Sequence, residues 1–394
     1  MAVRRVSIEE RRARLGLRHR LAPSGSLGVL PGVVGGLIGL HATDPATVFL
    51  SARARIEGFE VQDLERALYE DRALVRMLAM RRTMWVVARD DVDMVQAGAA
   101  DAVAAAQRRR LLRELASADL GGARPEPWLD ALEEKVCHVL AEQGELTGAQ
   151  LGRSVPELRT SITISPGKPY GGEVSITSQV LNLMSMRGKL VRGRPLGDWN
   201  STRYRWALRE RWLPEERWVP TEEARVALVR RWLAGFGPGT LEDLKWWTGL
   251  PVTAIRTALK SLRVTEVQLA EGVGYLLTSD QEPVRSDEPW VALLPSLDPT
   301  VMGWRHRDWY LGPHRDALFD RSGNAGPTVW VDGRVVGGWG QRPNGAVAYR
   351  LLEDVGRWHR DRIEQQAEHL TAWLGAVRVI PRFRTPVEKD LAER

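Results

Sequence analysis

Gly144-Glu145-Leu146-Thr147-Gly148-Ala149-Gln150-Leu151 and Gly237-Pro238-Gly239-Thr240-Leu241-Glu242-Asp243-Leu244 are the two stretches on which the reading of the fold turns. They lie 93 residues apart and share the spacing G-x-x-T-x-x-x-L. The likeness runs upstream: Val136, Val139 and Leu140 fall on Val229, Trp232 and Leu233, the i, i+3, i+4 set of one buried helix face. Two copies of one unit are expected, each a helix, a glycine turn, a second helix opened by a threonine N-cap, a third helix and two short strands. That order is a winged helix. Third helices are expected at 175–187 and 252–262, and wings at 190–194 with 204–208 and at 264–269 with 275–278. The first copy is longer, with the surplus at 155–174. There Ser161-Ile162-Thr163-Ile164 alternates before the turn Pro166-Gly167-Lys168-Pro169, which predicts an inserted β-hairpin or ordered loop.

The first 100 residues read as a third, diverged copy. Ser7 and Glu10 make a capping box for an arginine-rich first helix, 30–40 a glycine-rich second helix and 46–57 a third, with wing strands within 74–87. Close helix packing accounts for Gly32, Gly35, Gly36 and Gly39 better than a phosphate loop does, since no strand precedes them. A connecting helix at 97–115 leads to a boundary at Gly121-Gly122. Past Asp280 come β-runs at 290–294, 328–331, 334–339 and 346–351, with Asp332-Gly333 as a hairpin turn, then a helix at 354–374 and a last strand at 376–380. These suggest a small β-barrel with one helix. The expected chain is mainly α with β: winged-helix units at 1–120, 121–218 and 219–282, then a barrel at 283–394.

Of 394 residues, 43% are hydrophobic and 27% charged, which excludes general disorder and allows several domains. The single cysteine, Cys137, excludes a disulfide framework and a cysteine-rich zinc site, and so points to a reducing, cytoplasmic setting. Seven histidines lack metal-ligand spacing, so neither metal nor cofactor is expected. The longest apolar stretch, 27–40, is too short to span a membrane. Net charge is +6, and 50 of the 56 basic residues are arginine, whose planar fork suits phosphate. The charge clusters: Arg187, Lys189, Arg192, Arg194, Arg203 and Arg205 fall within 19 residues across the end of a recognition helix and its wing, interleaved with Trp199, Tyr204 and Trp206. Arg159 and Lys168 frame the inserted hairpin. An exposed wing of this kind would grip a duplex.

The candidate site is Leu40-His41-Ala42-Thr43-Asp44-Pro45. Polar residues between two apolar helices must cap, pair or function. Thr43 or Asp44 as N-cap with Pro45 at N1 explains two of the three without chemistry, and His41 is left over.

Taken together, the glycine-rich second helix followed by Asp44-Pro45, the strand Leu78-Ala79-Met80-Arg81-Arg82-Thr83, the run Leu293-Leu294-Pro295-Ser296-Leu297-Asp298-Pro299, and Gly333-Arg334-Val335-Val336-Gly337 resemble the AlkZ and YcaQ-like winged-helix DNA glycosylases over nearly the whole chain. The resemblance implies three tandem winged helices plus a β-barrel in a C-shaped clamp, and excision of alkylated or crosslinked bases. Where that family carries glutamine, an apolar residue, then glutamine or aspartate, this chain has His41, Ala42 and Thr43. Its usual R-G-T-L-H reads Arg81-Arg82-Thr83-Met84-Trp85. On this reading His41, with a nearly free pKa of ~6.5, accepts a water's proton, Thr43 orients the water, and Asp44 either fixes the imidazole tautomer or stabilises sugar charge. Arg81 and Arg82 join the DNA-contacting set. The expected enzyme is a monomeric, monofunctional DNA glycosylase acting on double-stranded DNA. The alternative is a non-catalytic DNA-binding protein, a damage sensor or regulator.

Overall fold

A computed structural model describes residues 3–23, 29–122, 124–164, 172–215, 217–286 and 288–393. The chain opens with β1 (Arg4–Arg5) and α1 (Ile8–Arg18), capped by the Ser7 side chain, which accepts from the Glu10 N–H at 3.2 Å. Then come α2 (Leu30–Gly36), β2 (Leu40–His41), α3 (Pro45–Arg53), α4 (Val61–Tyr69), β3 (Leu74–Leu78) and β4 (Met84–Ala88), with sheet order β2-β4-β3. Helices α5 (Val92–Val95) and α6 (Asp101–Ser117) connect to the second unit.

That unit runs α7 (Pro125–Gln143), β5 (Leu146–Thr147), α8 (Gly148–Ser154), β6 (Ser161–Ile164), β7 (Gly172–Ser175), α9 (Thr177–Met186), β8 (Leu190–Pro195), β9 (Tyr204–Leu208) and α10 (Arg209–Trp212). The third runs α11 (Thr221–Phe236), β10 (Gly239–Thr240), α12 (Leu241–Thr248), α13 (Val252–Ser261), β11 (Val264–Leu269) and β12 (Gly272–Leu277). The shared threonines act alike. Thr147 accepts from the Gln150 N–H at 3.2 Å and Thr240 from the Asp243 N–H at 3.1 Å, each in a reciprocal capping box. In both units the short strand before the capped helix pairs with the last strand, giving orders β5-β9-β8 and β10-β12-β11. The inserted segment pairs β6 with β7 antiparallel, Ser161 opposite Ser175; its turn, with Lys168, lies outside the described residues.

Two expectations change. Helix α1 is not the first helix of the first unit: β2 follows α2, so the recurring order starts at α2. Meanwhile β1 joins the third unit's sheet, pairing parallel with β11 (Arg4 opposite Val267). Arg14 and Arg18 of α1 both reach Asp280.

The C-terminal part holds β13 (Val291–Leu294), α14 (Asp308–Leu311), α15 (Arg315–Leu318), β14 (Thr328–Val331), β15 (Arg334–Gln341), β16 (Val347–Leu351), α16 (Gly356–Leu374) and α17 (Pro386–Ala392). Its sheet is open, in the order β13-β14-β15-β16, not a closed barrel. Closure fails because 376–380 forms no ladder. The Gln341 amide takes its place, donating to the Val377 carbonyl at 3.1 Å and accepting from the Val379 N–H at 2.8 Å. Asp332 and Gly333 both have positive φ, as the predicted two-residue hairpin turn requires.

One hydrophobic core joins the first and third units to the C-terminal part, while the second unit has a largely separate core around Leu140, Leu151 and Val180. Glycine lets α2 and α11 touch: a Cβ on Gly235 would stand 2.5 Å from the Gly36 carbonyl oxygen. Along α3 and into the turn just past its end, Thr47, Ser51 and Arg55 recur every four residues and form a buried polar stripe. The Thr47 hydroxyl donates to the Ser296 carbonyl (2.7 Å) and the Ser51 hydroxyl to Asp298 (2.6 Å). Arg55 meets Asp298 through two nitrogens at 2.7 and 2.9 Å. Among the described residues, no helix is long and apolar enough to cross a membrane.

Candidate active site and nucleic-acid interface

His41 ends β2 opposite Trp85 of β4, and the Ala42 N–H donates to the Met84 carbonyl at 2.8 Å. Chain alternation puts His41 and Thr43 on one side and Asp44 on the other. His41 is 3% exposed, with its ring 5.1 Å from that of Trp85. Its Nδ1 is enclosed without a partner, and so is Thr43 Oγ1; His41 Nε2 is not enclosed. Burial, with a smaller contribution from Arg81, holds the imidazole pKa down at about 3, not near its free value. His41 is therefore neutral at physiological pH.

Asp44 does not meet His41. One carboxylate oxygen accepts from the Ala46 N–H at 3.1 Å, capping α3, and the other from the Arg382 N–H at 3.0 Å. Burial raises its pKa while these two bonds oppose the rise. The Arg382 guanidinium lies 3.5 Å from the Thr43 carbonyl. Asp44 thus ties the segment before α17 to the start of α3, a coupling that sequence reasoning missed.

The open basic wing is also corrected. Arg187 and Lys189 both bind Glu133, at 2.5 and 2.8 Å, and Arg194 lies 3.3 Å from both Glu65 and Glu70. Arg192 is half-buried over the rings of Tyr204 and Trp206, donates to Asn182 at 3.1 Å, and has its pKa lowered to about 10 by desolvation. At the wing tip, Trp199 packs 4.7 Å from Phe49 and 5.8 Å from Trp373, and the Asn200 amide donates to the Arg378 carbonyl. The wing is an internal clasp. Arg203 and Arg159 remain exposed and Arg205 half-buried.

The turn between β3 and β4 lies beside the candidate site. Arg81 and Arg82 both have positive φ, 53° and 62°, uncommon for residues with a Cβ and often found at functional sites. Arg82 is exposed and donates to Gln107 at 3.1 Å. Arg81 stacks 4.0 Å over Trp246 of α12, and its pKa falls to about 10 through burial and then Arg307. Among the described residues, no group of three or more His, Cys, Asp or Glu could hold a metal ion.

Two of the three helix–strand units share a core with the open C-terminal sheet, and a polar turn leads into α3. A family model described as DNA glycosylase AlkZ-like matches residues 34–373, and the chain belongs to that family. A curated relative, the interstrand DNA cross-link repair glycosylase of Streptomyces sahachiroi, is 25% identical over 209 residues, 51% of this chain and 56% of the relative. The chain thus spans little more than half the length of that relative. The solved structure of Streptomyces sahachiroi DNA glycosylase AlkZ shares the fold, with a TM-score of 0.72 at 21% identity over 95% of this chain and 98% of that one.

Proposed function

We propose that this protein is a monofunctional DNA glycosylase that hydrolyses the N-glycosidic bond of alkylated bases, N7-substituted purines or crosslinked ones, in duplex DNA by a positioned water. Supporting this reading is the neutral imidazole of His41, with Nε2 unpartnered and not enclosed, at the entrance to α3 in a chain of the AlkZ-like family. The relative named for interstrand cross-link repair extends the reading to that lesion.

An N7-alkylated purine is cationic. As the C1′–N9 bond breaks, its electron pair neutralises the departing base, and water adds to the oxocarbenium-like C1′ while its proton passes to solvent. A neutral imidazole offers one donor and one acceptor, so His41 orients the water without itself becoming protonated. Thr43 supplies the second bond once its side chain turns outward on DNA binding. Asp44 positions α3, since both of its oxygens are occupied. The three units act as winged helices and, with the C-terminal sheet, form a C-shaped clamp whose open contacts are Arg82, Arg159, Arg203 and Arg205.

Incubating a duplex containing 7-methylguanine with the protein and then with alkali tests this. Strand scission should fall by about 10²–10³ in His41→Ala, as when a positioned hydrogen-bonding group is lost. The enclosure of His41 Nδ1 and Thr43 Oγ1 favours a second reading, a non-catalytic damage-binding protein; binding without scission on 7-methylguanine and on crosslinked duplex would support it.

A further inference from the structure

Arg81 begins a column in which charge and aromatic rings alternate. Its guanidinium lies 4.0 Å from the Trp246 ring centroid, and that of Arg307 is 4.6 Å from the same ring. Arg307 also lies 5.1 Å from the Phe319 ring, and Arg315 lies 5.6 Å from that ring. Three cations are thus interleaved with two aromatic rings drawn from the β3–β4 turn, α12 and the α14–α15 region.

Local sequence builds the column. Asp243, at the third position of α12's capping box, accepts from the backbone N–H groups of Arg305 and His306 at 2.7 and 2.9 Å. It thereby fixes the segment that carries Arg307. Trp246 is one turn further along the same helix face. Arg307 is 4% exposed and is locked by its own bond to the Trp304 carbonyl.

No carboxylate lies within ion-pair distance of Arg81, Arg307 or Arg315 among the described residues. Asp243 faces Arg307, but it is already satisfied by Thr240 and those two backbone groups. The side chains of Arg81 and Arg315 make no hydrogen bond within the described chain. Ring faces offset part of the repulsion between the cations. Stacked cations left without counter-charge are costly in a folded protein and match an anion supplied from outside.

We infer that Arg81 and Arg315, set at the two ends of the stack that buried Arg307 forms with Trp246 and Phe319, hold the phosphodiester backbone of one DNA strand beside His41. The inference rests on the glycosylase reading for the identity of the polyanion, and it deepens that reading by naming where the strand is gripped. The column replaces the second unit's wing as the electrostatic contact nearest the candidate site.

Fluorescence-anisotropy titration of an undamaged duplex over a series of potassium chloride concentrations tests it. Arg81→Gln and Arg315→Gln should each lower the slope of log Kd against log salt by about 0.9, one released counterion per lost phosphate contact. Arg357→Gln on α16, outside the column, should leave the slope unchanged. Thermal midpoints confirm that the variants fold, and Arg315, being exposed, provides a variant free of core damage. Unchanged slopes in both folded column variants would overturn the inference. So would thermal stabilisation by inorganic phosphate that Arg315→Gln abolishes without altering the DNA slope, which would mark a small-anion site. A wild-type protein that binds with the full slope yet excises nothing would overturn the catalytic reading and leave the column standing.

Discussion

At the scale of single residues, His41 differs most from its sequence-level reading. An imidazole near its free pKa would titrate between pH 5 and 8 and shape the rate; one held at about 3 does not. Excision should therefore be flat across that interval as far as His41 is concerned, and His41→Gln, which keeps a neutral donor and acceptor, should retain most of the activity that His41→Ala loses. A bell-shaped profile with a limb near 6.5 that vanishes in His41→Gln would refute this. The candidate turn was legible because polar residues between apolar helices call for a reason. The pKa was not, because it depends on Trp85 and Arg81, which only the β2–β4 pairing brings close.

Among the elements, α3 shows how a spacing becomes a scaffold. Thr47, Ser51 and Arg55 could be read as one stripe from their four-residue period, but not their partner, Asp298, more than 240 residues later in the chain. Truncating one member of a fully buried ion pair strands the other, so Asp298→Ala should destabilise the protein by about 3–5 kcal/mol in urea denaturation. A loss near zero would show the network to be dispensable. Threonine caps and the Asp332-Gly333 turn were readable because their chemistry is local. The basic wing was misread for the opposite reason: Glu133 of α7, Glu65 of α4 and Glu70 just past its end, which neutralise it, carry no sequence signal of their proximity. Trp246, Arg307, Phe319 and Arg315 escaped notice likewise, although the density of aromatic and basic residues at Trp304-Arg305-His306-Arg307 was a usable signal.

Over the whole molecule, two buried neutral histidines link stability to acid. His19, bonded to Thr300 and stacked on Trp304, has its pKa lowered to about 3 by burial, as does His41. The unfolded chain binds a proton at each as pH falls through about 6.5, whereas the folded chain does so only near 3. Stability is thus fully present above 6.5 and is lost progressively between those limits. Histidine Cε1 proton resonances should show the His19 and His41 imidazoles still neutral at pH 5, and the urea midpoint should fall between pH 6.5 and that value. Titration of both of these resonances near 6.5 would contradict both burials.

The parallel pairing of Arg4–Arg5 with Val267–Gln268 bears on the order in which the chain can be completed. A ribosome releases Arg4 long before Val267 exists, so β1 has no neighbour to register against until most of the polypeptide has emerged. The first unit must wait in the same way for Asp298 to neutralise Arg55. Only the second unit, with its largely separate core, is free to settle early, and nascent chains halted before residue 260 should resist protease there and nowhere upstream.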